Sequence, residues 1–329
     1  MARSAPPERP LRGSTTGTRS SGSSLKHLRN DPLVKPFKVQ TENDRIEFQT
    51  HLRGRLLETF SEPNFRPPVL PSVAVELIQL SRRADVALDE IVKVLEKDQV
   101  LAAELLRLAQ SAAFSTRLDI RSLHGAVSRI GLTRTADLFL RAALESKLFR
   151  VSGYGCTLEK LRQHSIATAE IGRLICRHTR GDENYAYMCG LLHDVGIAGA
   201  IIAMTTNLGV TRTIDFDLLW PVLSSVHQQF TVQLASLWGL PQELRTILRH
   251  HHTFSVESKP EPMAAVTVLA EILAAKIGYE FEGEESSEML ERTLGMLGIS
   301  ATKLESVERE ATEFLAKAAA PSSTRFSSR

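Results

Sequence analysis

The chain has 329 residues, of which 43% are hydrophobic and 24% charged, and its formal net charge is +2. That is ordinary globular composition, long enough for a large core in two domains or two tightly packed subdomains. With aromatics at 6% and the basic excess gathered at the N-terminus, the composition lacks the clustered basic face and stacking platforms of a nucleic-acid binder; it also lacks a run of about 18 apolar residues for a membrane span.

In chain order, residues 1–44 are rich in Ser, Arg, Pro, Gly and Thr. So few apolar side chains cannot repay the entropy of ordering, and the segment reads as a disordered basic arm with no apolar stretch of a secretory signal. A first helix is expected from Asp44 to Phe60, with Ile46, Phe48, Leu52, Leu56 and Leu57 as its apolar positions. Four prolines between Pro63 and Pro71 mark an extended connector. Ser72 is placed as the cap of a helix presenting Val73, Leu77, Ile78 and Leu80. Asp89 is placed as the cap of the next, with Ile91, Val92, Val94 and Leu95, and Asp98 as the cap of a third, with Leu101, Leu105, Leu106 and Leu108. Ser122 opens a short helix that Gly131 stops, and Thr133 opens another that runs to about Phe149. Residues 45–150 therefore read as an N-terminal helical bundle.

The glycine-containing loop Val151–Thr157 separates this bundle from a second helical unit, residues 151–317. Helices are expected at about 158–178, 184–192, 216–226, 228–238, 242–251, 261–278, 285–297 and 302–318. Trp238-Gly239-Leu240-Pro241 is a stop followed by a restart. Residues 318–329 form a second flexible tail. No strand alternation persists and hairpin dipeptides are lacking, so the fold class is all-α.

Six residues on successive expected helices of the second unit are metal-ligand types: His164, His193, Asp194, His227, His251 and Glu271. Imidazole with carboxylate suits Mn, Fe or Zn better than Mg or Ca. Adjacent His and Asp on a helix point about 100° apart, so His193 can face one ion while Asp194 bridges to a second. Gly196 lets a backbone or a substrate come close. Ions held this way would support hydrolysis at phosphorus. Taken singly, each histidine is more often a structural residue than a ligand. His250, His251 and His252 can equally be a helix end favoured by the dipole, and at most two of the three can face a shared centre. Other chemistries are poorly served: there is no GxxxxGK[ST] loop, no GxGxxG and no GxSxG elbow. Cys156, Cys176 and Cys189 form no CxxC pair and read as reduced, mostly buried thiols.

These residues stand in a recognisable order. Leu70-Pro71-Ser72-Val73-Ala74, the run from Asp98 to Phe114, Ile130-Gly131-Leu132, His164-Ser165, Gly190-Leu191-Leu192-His193-Asp194-Val195-Gly196, His227, Trp238-Gly239-Leu240-Pro241 and His250-His251 together resemble HDOD domains, the HD-related output domains of bacterial signalling proteins. The resemblance spans about residues 65–278. It implies an N-terminal helical bundle packed against an HD-like helical core, and a kinship with HD and HD-GYP phosphohydrolases. Carried over position by position, it makes His164 the first ligand, His193 and Asp194 the HD pair, His227 and His251 the later histidines, and Glu271 the counterpart of a final Asp. Two departures stand out. Ile197 occupies the place of the lysine in an HDxGK motif, and His252-Thr253-Phe254 follows His251 where a GYP signature would be. The expectation is a cytoplasmic, non-catalytic regulatory protein acting on signalling proteins, with a nucleotide second messenger and a homodimer as further partners. The alternative is a metal-dependent HD-type phosphohydrolase acting on nucleotides or cyclic dinucleotides.

Overall fold

The computed structural model describes residues 40–62, 65, 67–83, 85–110, 120, 122–256, 259–281 and 287–319. Most of the N-terminal arm and nearly all of the C-terminal tail expected from the sequence lie outside them. The described chain is helical, with one small hairpin. Helix α1 is Glu42–Ser61, α2 Ser72–Ser81, α3 Leu88–Leu95, α4 Gln99–Ala109, α5 Leu123–Ile130 and α6 Leu132–Lys147. The second half holds α7 Gly155–Thr179, α8 Glu183–Leu192, α9 Val195–Ile202, α10 Phe216–Leu237, α11 Gln242–Arg249, α12 Pro262–Ala274, α13 Ser287–Leu297 and α14 Ala301–Ala319.

Several helix ends follow directly from local chemistry. Thr41 and Asp44 form a reciprocal capping box at α1. Ser122 accepts from the Gly125 amide at the start of α5, and Asp182 accepts from the Asn184 and Tyr185 amides at α8. Two expected caps move. Ser72 is the first residue of α2 rather than its cap, and Asp89 lies inside the first turn of α3, which no side chain caps. There Asp89 still complements the helix dipole.

Three buried clusters organise the packing. The bundle core lies among α2–α6, with Leu77, Leu95, Leu105, Ile130 and Phe139. The largest core joins α1 to the second half through Phe48, Leu52, Leu56, Leu223, Phe230 and Leu234. A third lies between α7, α12 and α14, with Ile171, Ile175, Leu269 and Leu315. Helices α2 and α6 serve two cores. In α2, Val73 and Leu77 face the bundle while Ala74 and Ile78 face the large core, a division that the 3.6-residue period produces. Helix α1 packs on α10, so its apolar stripe belongs with the second half rather than with the bundle.

Three features of the second half depart from the sequence reading. The expected break at residue 227 is absent: α10 runs unbroken from Phe216 to Leu237, with Pro221 inside it. Helix α9 is additional and continues into a π-helical turn, Ala203–Asn207. Ser255–Val256 and Lys259–Pro260 pair as an antiparallel hairpin, with Ser255 opposite Pro260. Two stretches, Glu183–Asn207 and Pro262–Tyr279, are apolar and long enough to cross a membrane, but 89% and 61% of an apolar 18-residue window in each is buried inside the protein. They are core helices, and the first is broken at Asp194, whose φ of −112° and ψ of 12° leave the helical region.

Candidate metal centre

Five helices deliver the six candidate ligands to one buried place. His164 comes from α7, and His227 from the middle of α10. His193 and Asp194 occupy the joint between α8 and α9. His251 follows the end of α11, and Glu271 lies on α12. All six are buried, with His193 and His251 at 0% exposure. Their donor atoms form two groups that share Asp194. One is His164, His193, Asp194 and Glu271; the other is Asp194, His227, His251 and His252. In each group the donor atoms lie within 4.8 Å of one another.

Asp194 is central because its two oxygens diverge. Oδ2 lies 3.3 Å from His193 Nε2, and Oδ1 lies 3.5 Å from the Nε2 atoms of both His227 and His251. His252, read from the sequence only as a neighbour of His251, joins the cluster. Its Nε2 is 2.9 Å from His227 Nε2, and its Nδ1 is 3.9 Å from Glu271 Oε2. The helical wheel could not reveal this, because α11 ends at Arg249 and residues 250–252 follow a turn instead.

The histidines are aimed by a repeated local device. His193 Nδ1 donates to the Gly190 carbonyl, His227 Nδ1 to that of Ser224 and His251 Nδ1 to that of Leu248, at 2.6–2.8 Å and always three residues back. His164 Nδ1 donates to Tyr279 O at 2.8 Å, in the π-helical turn that follows α12. A carbonyl can only accept, so each Nδ1 carries a hydrogen and each Nε2 is turned to the centre, where the neutral imidazole offers a lone pair. Backbone anchoring of this kind is how metal-ligating imidazoles are usually oriented.

Without a cation this arrangement is poorly satisfied. His164 Nε2 and His193 Nε2 face each other at 3.2 Å. Asp194 Oδ1 and His251 Nε2 are buried and close no hydrogen bond, which costs free energy unless another group meets them. The protonation pattern reflects the crowding. Burial drives His164 down to about 4 and His252 down to about 3. Burial also opposes charge on His193, but the Asp194 carboxylate beside it prevails and raises it to about 9. Burial likewise works against the Asp194 anion, yet its histidine neighbours hold that carboxyl well below its usual range. The donor set fits a divalent transition ion: imidazoles with oriented lone pairs, and a carboxylate shared between two groups.

Gly196 makes the site possible. A Cβ there would stand 2.1 Å from His227 O and 2.6 Å from Thr231 N. The Gly196 amide donates to Thr231 Oγ1 at 2.9 Å, and that hydroxyl donates to His193 O at 3.0 Å. The close approach expected at this glycine is therefore made by the backbone of α10. Ile197 is fully buried in the large core. Phe281 packs 6.4 Å from the His164 ring and meets Phe216 and Trp220, so an aromatic cluster adjoins that side of the centre.

An all-α chain folded around a His-Asp pair with converging histidines defines an HD-type protein. The HDOD domain profile matches residues 68–254, which is more than half the chain. This chain belongs to the HDOD domain family. Among solved structures, an HDOD domain protein of unknown function from Geobacter sulfurreducens is similar over 83% of this chain and 98% of its own, with a TM-score of 0.58 at 22% identity. A protein from Shewanella amazonensis SB2B, provisionally named a metal-dependent phosphohydrolase, covers 82% of this chain and 99% of its own, with a TM-score of 0.61 at 16% identity. A protein from Marinobacter aquaeolei VT8, provisionally named for signal transduction, covers 85% of this chain and 66% of its own, with a TM-score of 0.60 at 22% identity. An uncharacterized protein of Treponema pallidum (strain Nichols) is 26% identical over 280 residues; the match spans 80% of this chain and about half, 50%, of that curated relative.

Proposed function

We propose that this protein is a regulatory HDOD protein whose His/Asp centre binds a divalent transition metal, Mn, Fe or Zn, without turning over a substrate. In this reading it works in the cytoplasm through contacts with signalling proteins. The observation that carries it is the pairing of a complete, oriented donor set with an inert surround. The histidines are backbone-anchored and buried, while Ile197, the residue that would be a helper lysine in an HD-GYP enzyme, packs into the apolar core. His164, His193, Asp194 and Glu271 would hold one ion, and His227, His251 and His252, with Asp194 shared, a second. Such an ion supplies Lewis acidity. The chain's own groups bind it, fix its orientation and hold five helix segments together.

The alternative, a phosphohydrolase acting on nucleotides or cyclic dinucleotides, is favoured by the sharing of Asp194 between two donor groups, the layout two-ion hydrolysis requires. One experiment separates the two. Elemental analysis of the purified protein should find a transition metal that is lost in His193→Ala. With Mn or Fe added, hydrolysis of bis-p-nitrophenyl phosphate and of cyclic dinucleotides should not exceed the His193→Ala background. Turnover that disappears with His193 would establish the enzyme instead, and absence of any stoichiometric metal would overturn both.

A further inference from the structure

A recess that shares no lining residue with the metal centre lies where the two halves of the chain meet. It has a volume of about 560 Å³, within the range of small-molecule sites. One wall is the connection from α6 to α7, with Lys147, Arg150 and Ser152; the other is the segment between the π-helical turn and α10, with Thr211, Arg212 and Thr213. Its lining contains three cations and no carboxylate. That composition departs from the chain as a whole, in which acids and bases are nearly equal in number, 38 against 40. Like charges gathered in one recess repel, and they are tolerated best when an anion completes them.

The two walls are pinned together. The Ile214 amide donates to the buried Tyr154 hydroxyl at 2.9 Å. Gly153 has a φ of +83°, and a Cβ on it would lie 2.5 Å from Thr213 Oγ1, so only glycine allows this approach. Lys147 alone has a bland explanation, since a cation in the last turn of α6 complements the helix dipole. Arg150 lies outside any helix and has no such explanation. Among the described residues, no ion pair is seen for Lys147 or Arg150. The hydroxyls of Thr205 and Thr206, also in the lining, donate to helix carbonyls at 2.7–3.1 Å. Lys147 and Arg150, with Ser152, Thr211 and Thr213, therefore face the recess as donors, and Arg212 adds its positive charge. The apolar lining residues Val151, Ile202 and Val210 offer a surface for a ring.

We infer that this recess binds a phosphorylated small molecule of nucleotide size. Its phosphates meet Lys147, Arg150 and Arg212, and its ring meets Val151, Ile202 and Val210. Planar guanidinium forks with hydroxyls form a donor set that suits the several charged oxygens of a phosphate. The size and concavity favour a small molecule over a nucleic-acid backbone. Because the recess touches both the bundle-to-core connection and the segment entering α10, occupancy would couple the halves. The inference does not depend on whether the metal centre is catalytic.

The test is calorimetric titration of the full chain, treated with chelator, with ADP and with inorganic pyrophosphate. Wild type should bind, with affinity that falls as salt rises. His193→Ala should bind as wild type does. The variant Lys147→Gln/Arg150→Gln changes only exposed side chains and should bind about tenfold or more weakly, the loss expected when charge-assisted hydrogen bonds are removed. Adding Arg212→Gln should deepen the loss, with helical circular dichroism unchanged. The inference is overturned if neither probe binds wild type, if the double variant binds as tightly as wild type, or if binding is lost in His193→Ala and kept in the double variant.

Discussion

On helix α7, His164 and Arg173 each enter a buried polar cluster, and the two clusters balance charge in opposite ways. Arg173 bonds to Asp137 on α6 and, at 3.0 Å, to Glu170; Arg134 reaches Glu170 at 3.1 Å. Its guanidinium also lies 4.1 Å from the ring centroid of buried Tyr187. Two guanidinium groups face two carboxylates, so this cluster is complete within the chain. The His164 cluster gathers five imidazoles around Asp194 and Glu271, with ring nitrogens converging and Asp194 Oδ1 unmet. The Arg173 cluster joins α6 to α7 and pairs its charges within the protein; the His164 cluster leaves Asp194 Oδ1 and His251 Nε2 without a hydrogen bond. Buried polarity is closed by pairing in one place and left open in the other.

The contrast breaks most sharply if one member of the self-contained pair is removed. Arg173→Leu leaves Asp137 and Glu170 without their main partner, and removal of one partner of a buried pair typically costs about 3–5 kcal/mol. Urea unfolding at pH 8 should show that loss, while the metal content per folded molecule stays unchanged. A variant that lost metal instead would show that the two clusters are one network. Next in size is Asp194→Asn, which reverses the pattern. It weakens the shared ligand of both donor groups, and chelator competition should show metal affinity lower by at least the ~10–100-fold that loss of a supporting partner costs. Gly196→Ala is smaller and falls on both properties. The added methyl must push the α10 backbone at His227 aside, at about 1–3 kcal/mol of overpacking, and His227 shifts with it, so thermal stability and metal affinity should fall together.

How far these clusters were legible in the sequence depends on what carries them. The Ser122 cap and the HD pair are local, and they and the order of the histidines are legible along the chain; Thr41, whose capping box with Asp44 opens α1, falls instead in the segment whose composition reads as an arm. Convergence is not local. His252 was missed because the turn after α11 breaks the periodicity that would predict its direction. Helix α9 was missed because Val195–Ile201 is buried throughout and a uniformly apolar run has no amphipathic period to detect. The hairpin at Ser255–Pro260 has two-residue strands, too short to alternate. The Arg173–Asp137 pair joins residues 36 apart, and neither stands in a motif. The three-residues-back hydrogen bonds that aim the histidines are also invisible from residue types alone, because any backbone carbonyl can serve.

The smallest effect separates the clusters by their response to pH. Burial pushes the Asp137 carboxyl up to about 7, against the pull of Arg173 and Arg134. An unfolded Asp titrates near 3.9, so between about pH 4 and 7 the folded protein holds a proton that the unfolded chain has released. The sign follows: this group's contribution to stability is fully present below about pH 3.9 and is lost as pH rises through about 7. Asp137→Asn has no such proton to lose. The stability advantage of wild type over Asp137→Asn, measured by urea unfolding at intervals from pH 4 to 8, should therefore shrink as pH rises and then level off. A flat profile from about pH 5 to 8 would mean that Arg173 holds Asp137 ionised throughout, because folded and unfolded states then bind the same number of protons. The pair would then be a permanent ion pair, and the contrast with the His164 cluster would widen from a difference in completeness to a difference in charge state.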